Sequence, residues 1–297
     1  MFFDCFTCNS NKGKSLINKN FVLLKKIPII LLSLLFVVAL ATFVWREEYY
    51  FYILGLLALF NLLLIWPLVR RVRFLAIPFF LSIGSLNLLY LVDGFYERIF
   101  FIISAMIIYA LALCGANRLK RYDCDQTAQG MVNLATIITV FFWIVSNYGW
   151  YLNFEISSWM LIITTISSTF LIILPSLTIS FVSCYKIYYR QNNKKRKKNK
   201  KDEVILAFKH QIKIQRVALF FSFIIAFIIG EVIWALSFWP FGYLTTGMTA
   251  VIIFFFFWSI VRKFIKKELT KCFIVANILI MISIIVGMIT TSPWRII

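Results

Sequence analysis

Nine windows of nearly unbroken apolar sequence dominate the chain, at about 27–45, 49–69, 74–92, 99–116, 131–150, 156–182, 217–239, 243–261 and 272–291. Each is close to the roughly 20 residues a helix needs to cross a hydrocarbon core about 30 Å thick. Lipid offers the backbone no hydrogen-bond partner, so an apolar segment of that length folds as a helix. Composition closes the alternatives. Of 297 residues, 62% are hydrophobic and 14% charged, against about 45–50% and about 25% in soluble domains. An aromatic share of 18% excludes disorder, which goes with few aromatic residues. The sequence therefore predicts an all-α, polytopic transmembrane bundle with nine spans. Short connections at Arg46–Glu48 and Asp93–Arg98 make hairpins of neighbouring spans. The eighth span, containing Ile252, Ile253 and Phe254 to Phe257, is apolar all round and should face lipid over much of its surface.

The basic residues give the direction of insertion. Alternate segments carry five (Lys12 to Lys26), three (Arg70 to Arg73), three (Arg118 to Arg121), twelve (Lys186 to Arg216) and five (Arg262 to Lys271). That places 28 of the 31 Lys and Arg on one side and leaves Arg46, Arg98 and Arg295 for the other. Short loops rich in Lys and Arg stay in the cytoplasm, so the N-terminus is expected inside and the C-terminus outside the cell membrane. The chain then divides into a cytoplasmic basic tail (1–26), spans one to six (27–182), a cytoplasmic Lys/Arg-rich loop (183–216), spans seven to nine (217–291) and a short outside tail (292–297).

Cysteines and tryptophans agree with this direction. Cys5, Cys8, Cys114, Cys124, Cys184 and Cys272 all fall in or near inside segments, where thiols remain reduced. There is no Asn-x-Ser/Thr acceptor, so outside glycosylation is not expected. Trp45, Trp150, Trp159, Trp239 and Trp294 sit at outer ends and Trp66 and Trp258 at inner ends, the belt expected at headgroup level. The first window also has a basic leader and Ala39-Leu40-Ala41, a pattern a signal peptidase can cut. Cleavage would leave eight spans in the same orientation.

Three polar features compete for a chemical role. The run Lys194, Lys195, Arg196, Lys197, Lys198, Lys200 and Lys201 could neutralise phosphates. It lacks the interleaved aromatics of a nucleic-acid site and reads as a topogenic loop attracted to anionic headgroups of the bilayer. Val204, Ile205, Phe208 and Ile212, alternating with Lys209, Lys213 and Arg216, look like an interfacial entry into the seventh span. Cys5 and Cys8 form half of a possible zinc site, which needs four ligands. Asp123 and Asp125 flank Cys124 as a pair of acids able to share Mg²⁺ with a lipid diphosphate. Such a pair beside Arg118, Lys120 and Arg121 reads first as a solvated, charge-balanced loop. No metal and no cofactor is expected.

The sharpest single residue is Glu231, within a span, where an ionisable group costs roughly 2.5–3.5 kcal/mol and marks function or a buried polar partner. It lies about 12 Å below the outer end, with Asn87, Thr164 and Thr165 at similar depth in other spans. No Lys or Arg occupies a span core. Trp234, Phe238, Trp239, Pro240, Phe241 and Tyr243, with Trp45, Tyr49, Tyr50, Trp150 and Tyr151, could line an aromatic outer pocket beside it. Hydrolase, metalloprotease, P-loop and dinucleotide motifs are all missing, and there is one His. Only 11 Gly are present, and no paired helix breaks mark an inverted repeat. The first expectation is binding or movement of a small or amphiphilic ligand through an outer-half cavity around Glu231, Asn87, Thr164, Thr165 and Trp234. A non-catalytic scaffold or complex subunit is the alternative, and a Mg²⁺-dependent lipid-diphosphate enzyme the third. Protein partners are not encoded in any motif. The net charge of +19 records insertion direction and argues against nucleic acid.

Overall fold

The computed structural model describes residues 27–65, 72–121, 125–154, 156–193, 200–239, 242–265 and 268–291. Among these the fold is helical throughout, with no strand. The helices are α1 (Ile27–Trp45), α2 (Tyr50–Phe60), α3 (Val72–Tyr90), α4 (Phe95–Arg121), α5 (Gln126–Phe154), α6 (Ser158–Asn193), α7 (Lys200–Leu236), α8 (Tyr243–Ile265) and α9 (Lys271–Thr291). A 3₁₀ turn, Glu47–Tyr49, leads into α2, and a π-helical turn, Asn61–Ile65, follows it. Each apolar window of the sequence overlaps one of these helices. Six of them, from α4 to α9, contain stretches long and apolar enough to cross a membrane by length and composition. Ile29–Trp45 and Leu75–Tyr90 are shorter apolar segments, and α2 is interrupted by its π turn.

The stretch expected as a polar loop at 183–216 is largely helical. α6 runs on to Asn193 and α7 begins at Lys200. Lys, Arg, Gln and Glu are good helix formers, and the apolar residues from Val204 to Ile212 keep helical spacing, so the helices continue beyond their apolar parts. Residues 1–26, 194–199 and 292–297 lie outside the described residues.

α5 is the centre of the bundle. It packs against α3, α4, α6 and α8 and supplies two apolar cores from different faces. Val132, Ala135, Phe142 and Val145 join the core of α1 to α4. Val140, Ile144 and Tyr148 join the core of α6 to α8. Lipid tails are as apolar as the side chains, so helices in a bilayer associate through close packing and hydrogen bonds. The few glycines serve that need. A Cβ on Gly115 would lie 2.8 Å from Val132 Cγ2, one on Gly149 2.2 Å from Leu91 Cδ1, and one on Gly247 2.2 Å from Val145 Cγ2. Only 11 Gly in 297 residues predicts helices that do not approach closely. The structure corrects this, because the crossings onto α5 use the glycines the chain has.

Buried polar side chains pair between helices of the first core. Asn61 donates through Nδ2 to Leu57 O and to Ser82 Oγ, both at 2.7 Å, and its Oδ1 accepts from Tyr109 Oη at 3.1 Å. Tyr109 is fully buried and stacks on Phe36 at 4.4 Å. Ser176 Oγ on α6 donates to Asn133 Oδ1 on α5 at 2.8 Å. These contacts leave α2 to α6 with polar groups turned inward.

The outermost helix is α9. It packs mainly on α8, and none of its described side chains is buried. The sequence favoured α8 as the lipid-facing span, but Phe254 and Trp258 are buried and only Phe255 of the Phe254–Phe257 run is exposed.

Gly247→Ala should destabilise the folded protein by about 1–3 kcal/mol, the usual range for overpacking. Gly130→Ala, where a Cβ meets nothing within 4 Å, should leave stability unchanged or raise it by about 1 kcal/mol. Thermal unfolding of the two variants in the same detergent checks the contrast.

Candidate functional site

Gly230 fixes the orientation of α7. Its Cα faces α6 so tightly that a Cβ would lie 2.4 Å from Ile166 Cγ1. The next residue, Glu231, is turned about 100° further round the helix and is exposed. Phe220, Phe223, Phe227, Trp234 and Phe238 are exposed at spacings of three and four on the same face. Ala218, Ser222, Ile225, Ile229 and Ile233 are buried on the opposite face. Glu231 therefore interrupts an otherwise apolar outward stripe, and it makes no hydrogen bond or ion pair with any described residue.

Of the residues expected to share its cavity, Asn87 and Thr164 are hydrogen-bonded elsewhere. Asn87 Oδ1 on α3 accepts from Tyr50 Oη at 2.6 Å. Thr164 Oγ1 donates within its own helix to Met160 O at 2.8 Å and Leu161 O at 3.0 Å. Thr165 is buried with its hydroxyl unpartnered among the described residues, as is Thr169 one turn on. Trp234 is 50% exposed and meets Phe238 edge-on at 5.3 Å. Of the four residues expected around Glu231, Trp234 shares its face of α7 and the other three belong to α3 and α6.

The aromatic residues expected at the outer end divide in the same way. Tyr50, Tyr90, Trp150 and Phe154 pack together, with Tyr50 and Tyr90 at 5.4 and 5.5 Å from Trp150 and Phe154 stacked on it at 4.4 Å. Tyr151 turns to Tyr148 at 5.7 Å. Pro240 and Phe241 are outside the described residues. A groove does open beside the α1–α2 connection, but its lining comes from α1, α2 and that connection and includes no residue of α7.

Of the acidic pair proposed to share Mg²⁺, Asp125 is described and its carboxylate is already used. Oδ1 caps α5, accepting from the backbone N–H of Thr127 at 3.0 Å and Ala128 at 3.3 Å. Oδ2 pairs with Arg118 at 2.8 Å. That is the geometry of an N-cap whose charge also meets the positive end of the helix. Asp123, Cys5, Cys8 and the run Lys194 to Lys198 lie outside the described residues, and Lys200 and Lys201 open α7.

A family described as a protein of unknown function (DUF5656) matches residues 206–292. The match takes in most of α7 with Glu231, all of α8, and α9. No curated protein and no solved structure matches the chain.

Asp125→Ala should lower stability by about 0.5–2 kcal/mol, the cost of losing an N-cap, with Asp125→Asn close to the parent. A melting temperature that falls for Ala, recovers for Asn and ignores added Mg²⁺ identifies the carboxylate as a cap. A Mg²⁺-dependent stabilisation lost in both variants would assign it to metal.

Proposed function

We propose that the protein is a non-catalytic subunit of a cell-membrane assembly, with nine spans, its N-terminus inside and its C-terminus outside. On this reading it receives a partner's transmembrane helix on the outward face of α7, where Glu231 meets a basic residue. The observation that carries the reading is the exposure of Glu231 within a stripe of Phe and Trp. An ionisable group turned toward acyl chains is costly and calls for a polar partner. This chain has no Lys or Arg in a span core to offer. A second copy docked symmetrically would bring acid against acid, so charge complementarity points to a different chain carrying Lys or Arg at that depth.

The reading is supported by the way the other polar side chains are used. Asn61, Ser82, Asn87, Asn133 and Ser176 bond to neighbouring helices of the same chain, and Asp125 caps α5. They hold the bundle together and leave Glu231 as the group that faces away from it. The Lys/Arg-rich segment between α6 and α7 then lies at the cytoplasmic surface, beside anionic headgroups.

Native electrophoresis of gently extracted membranes tests the assembly. The parent chain should migrate in a complex well above its own 34.8 kDa. Glu231→Leu and Glu231→Lys should both release it, since removing one partner of a desolvated ion pair costs about 3–5 kcal/mol. Glu231→Asp should retain most of it. Unchanged migration and accumulation of the Leu and Lys variants would reject the reading.

Orientation has its own test. Cys272, exposed at the start of α9, should resist a membrane-impermeant maleimide in intact cells and react in inverted vesicles. Reaction in intact cells would reverse the topology.

A further inference from the structure

The α1–α2 hairpin leaves a groove of about 640 Å³, within the range of about 300–1,000 Å³ typical of ligand sites. Its walls are apolar, formed by Val38 and Ala41 of α1 and Ile53 and Leu56 of α2. At its mouth the lining changes to Trp45, Arg46, Tyr49 and Tyr52. This is the order of chemistry met along a lipid molecule: an acyl chain, an interfacial zone suited to Trp and Tyr, and then a charged headgroup.

Arg46 is the distinctive element. It is exposed and makes no side-chain hydrogen bond or ion pair with a described residue. The other described Arg at this end, Arg98, is fully engaged, donating through NH1 to Glu47 Oε1 at 2.6 Å and through Nε to Val92 O at 2.5 Å. Glu47, the acid next to Arg46, is thus paired with Arg98, and the exposed Glu48 forms no ion pair with Arg46. A free guanidinium is left at the rim of an apolar groove, and its planar fork matches the oxygens of a phosphate.

We propose that this groove is a binding site for a phospholipid of the adjoining leaflet, with one acyl chain between α1 and α2 and its phosphate on Arg46. The site is built from different helices than the Glu231 face and stands or falls independently of it. Charge complementarity selects the phosphate, and the length and apolarity of the groove select a chain-bearing ligand over a free anion.

Native mass spectrometry of the delipidated full-length protein tests this with three probes: phosphatidylglycerol, dioleoylglycerol and inorganic phosphate. The parent should bind one phosphatidylglycerol, and dioleoylglycerol about fivefold more weakly, the weight of one basic residue at a headgroup. Inorganic phosphate should neither bind nor compete. Arg46→Gln, a change at an exposed position, should keep the parent's melting temperature and bind both lipids equally at the weaker level. Ala41→Phe, which fills the groove, should weaken both lipids. The proposal is overturned if the parent binds no phosphatidylglycerol, if Arg46→Gln binds it as tightly as the parent, or if free phosphate competes. Should Ala41→Phe fail to fold, the Arg46→Gln comparison decides alone.

Discussion

The packing of α5 against four other helices is the constraint on which the rest of the structure depends. Within lipid, bringing apolar side chains together removes no water, and association must come from close approach and from hydrogen bonds. Gly115, Gly149 and Gly247 supply the approach, each at a place where even a methyl group would collide with a facing side chain. Ser176 and Asn133 add a hydrogen bond where α6 crosses α5. Because α5 feeds one core on each side, it joins the two halves of the bundle, with α3 against α6 as a further contact between them.

Inward use of polar groups follows from the same medium. A buried amide in hydrocarbon without a partner is expensive, and Asn61 meets that demand with three contacts to Leu57, Ser82 and Tyr109. Asn61 also begins the π-helical turn after α2. A π turn leaves backbone groups less regularly bonded, and such turns are frequent at functional sites. Here the amide donates to Leu57 O one turn back, so the side chain ties the interrupted ladder to α3 and α4.

The helices were legible in the sequence, whereas direction around each helix was not. Apolar windows of membrane length locate the helices: α1, α8 and α9 begin within a residue of the windows that predicted them, whereas α6 and α7 run on past theirs into polar sequence. The same windows carry almost no amphipathic asymmetry, because both the protein-facing and the lipid-facing sides are apolar. Glu231 and Asn87 could therefore be assigned a common depth but not a common side. Asn87 turns to Tyr50, and Glu231 turns out because Gly230 must face α6. Likewise the number of glycines was countable, but their alignment with Val132, Leu91 and Val145 depends on contacts between distant segments. Arg46 passed as a topological marker, since its freedom is visible only once Arg98 is seen to hold Glu47.

Arg46 and Glu231 stand out by the same physical test applied to different surroundings. In each case an ionisable group borders aromatic or aliphatic surface and forms no ion pair with a described residue. Their levels differ, and so do the partners they select. Arg46 sits at the end of a hairpin among Trp45, Tyr49 and Tyr52, where headgroups are within reach, so a phosphate of the bilayer itself can satisfy it. On the proposed topology Glu231 lies within the apolar part of α7, below the headgroups, and a residue carried in on another helix would satisfy it. The two sites also lie on different sides of α5, one on the core of α1 to α4 and the other on that of α6 to α8. A substitution at either should leave the other's behaviour unchanged, because distant sites without shared partners act additively.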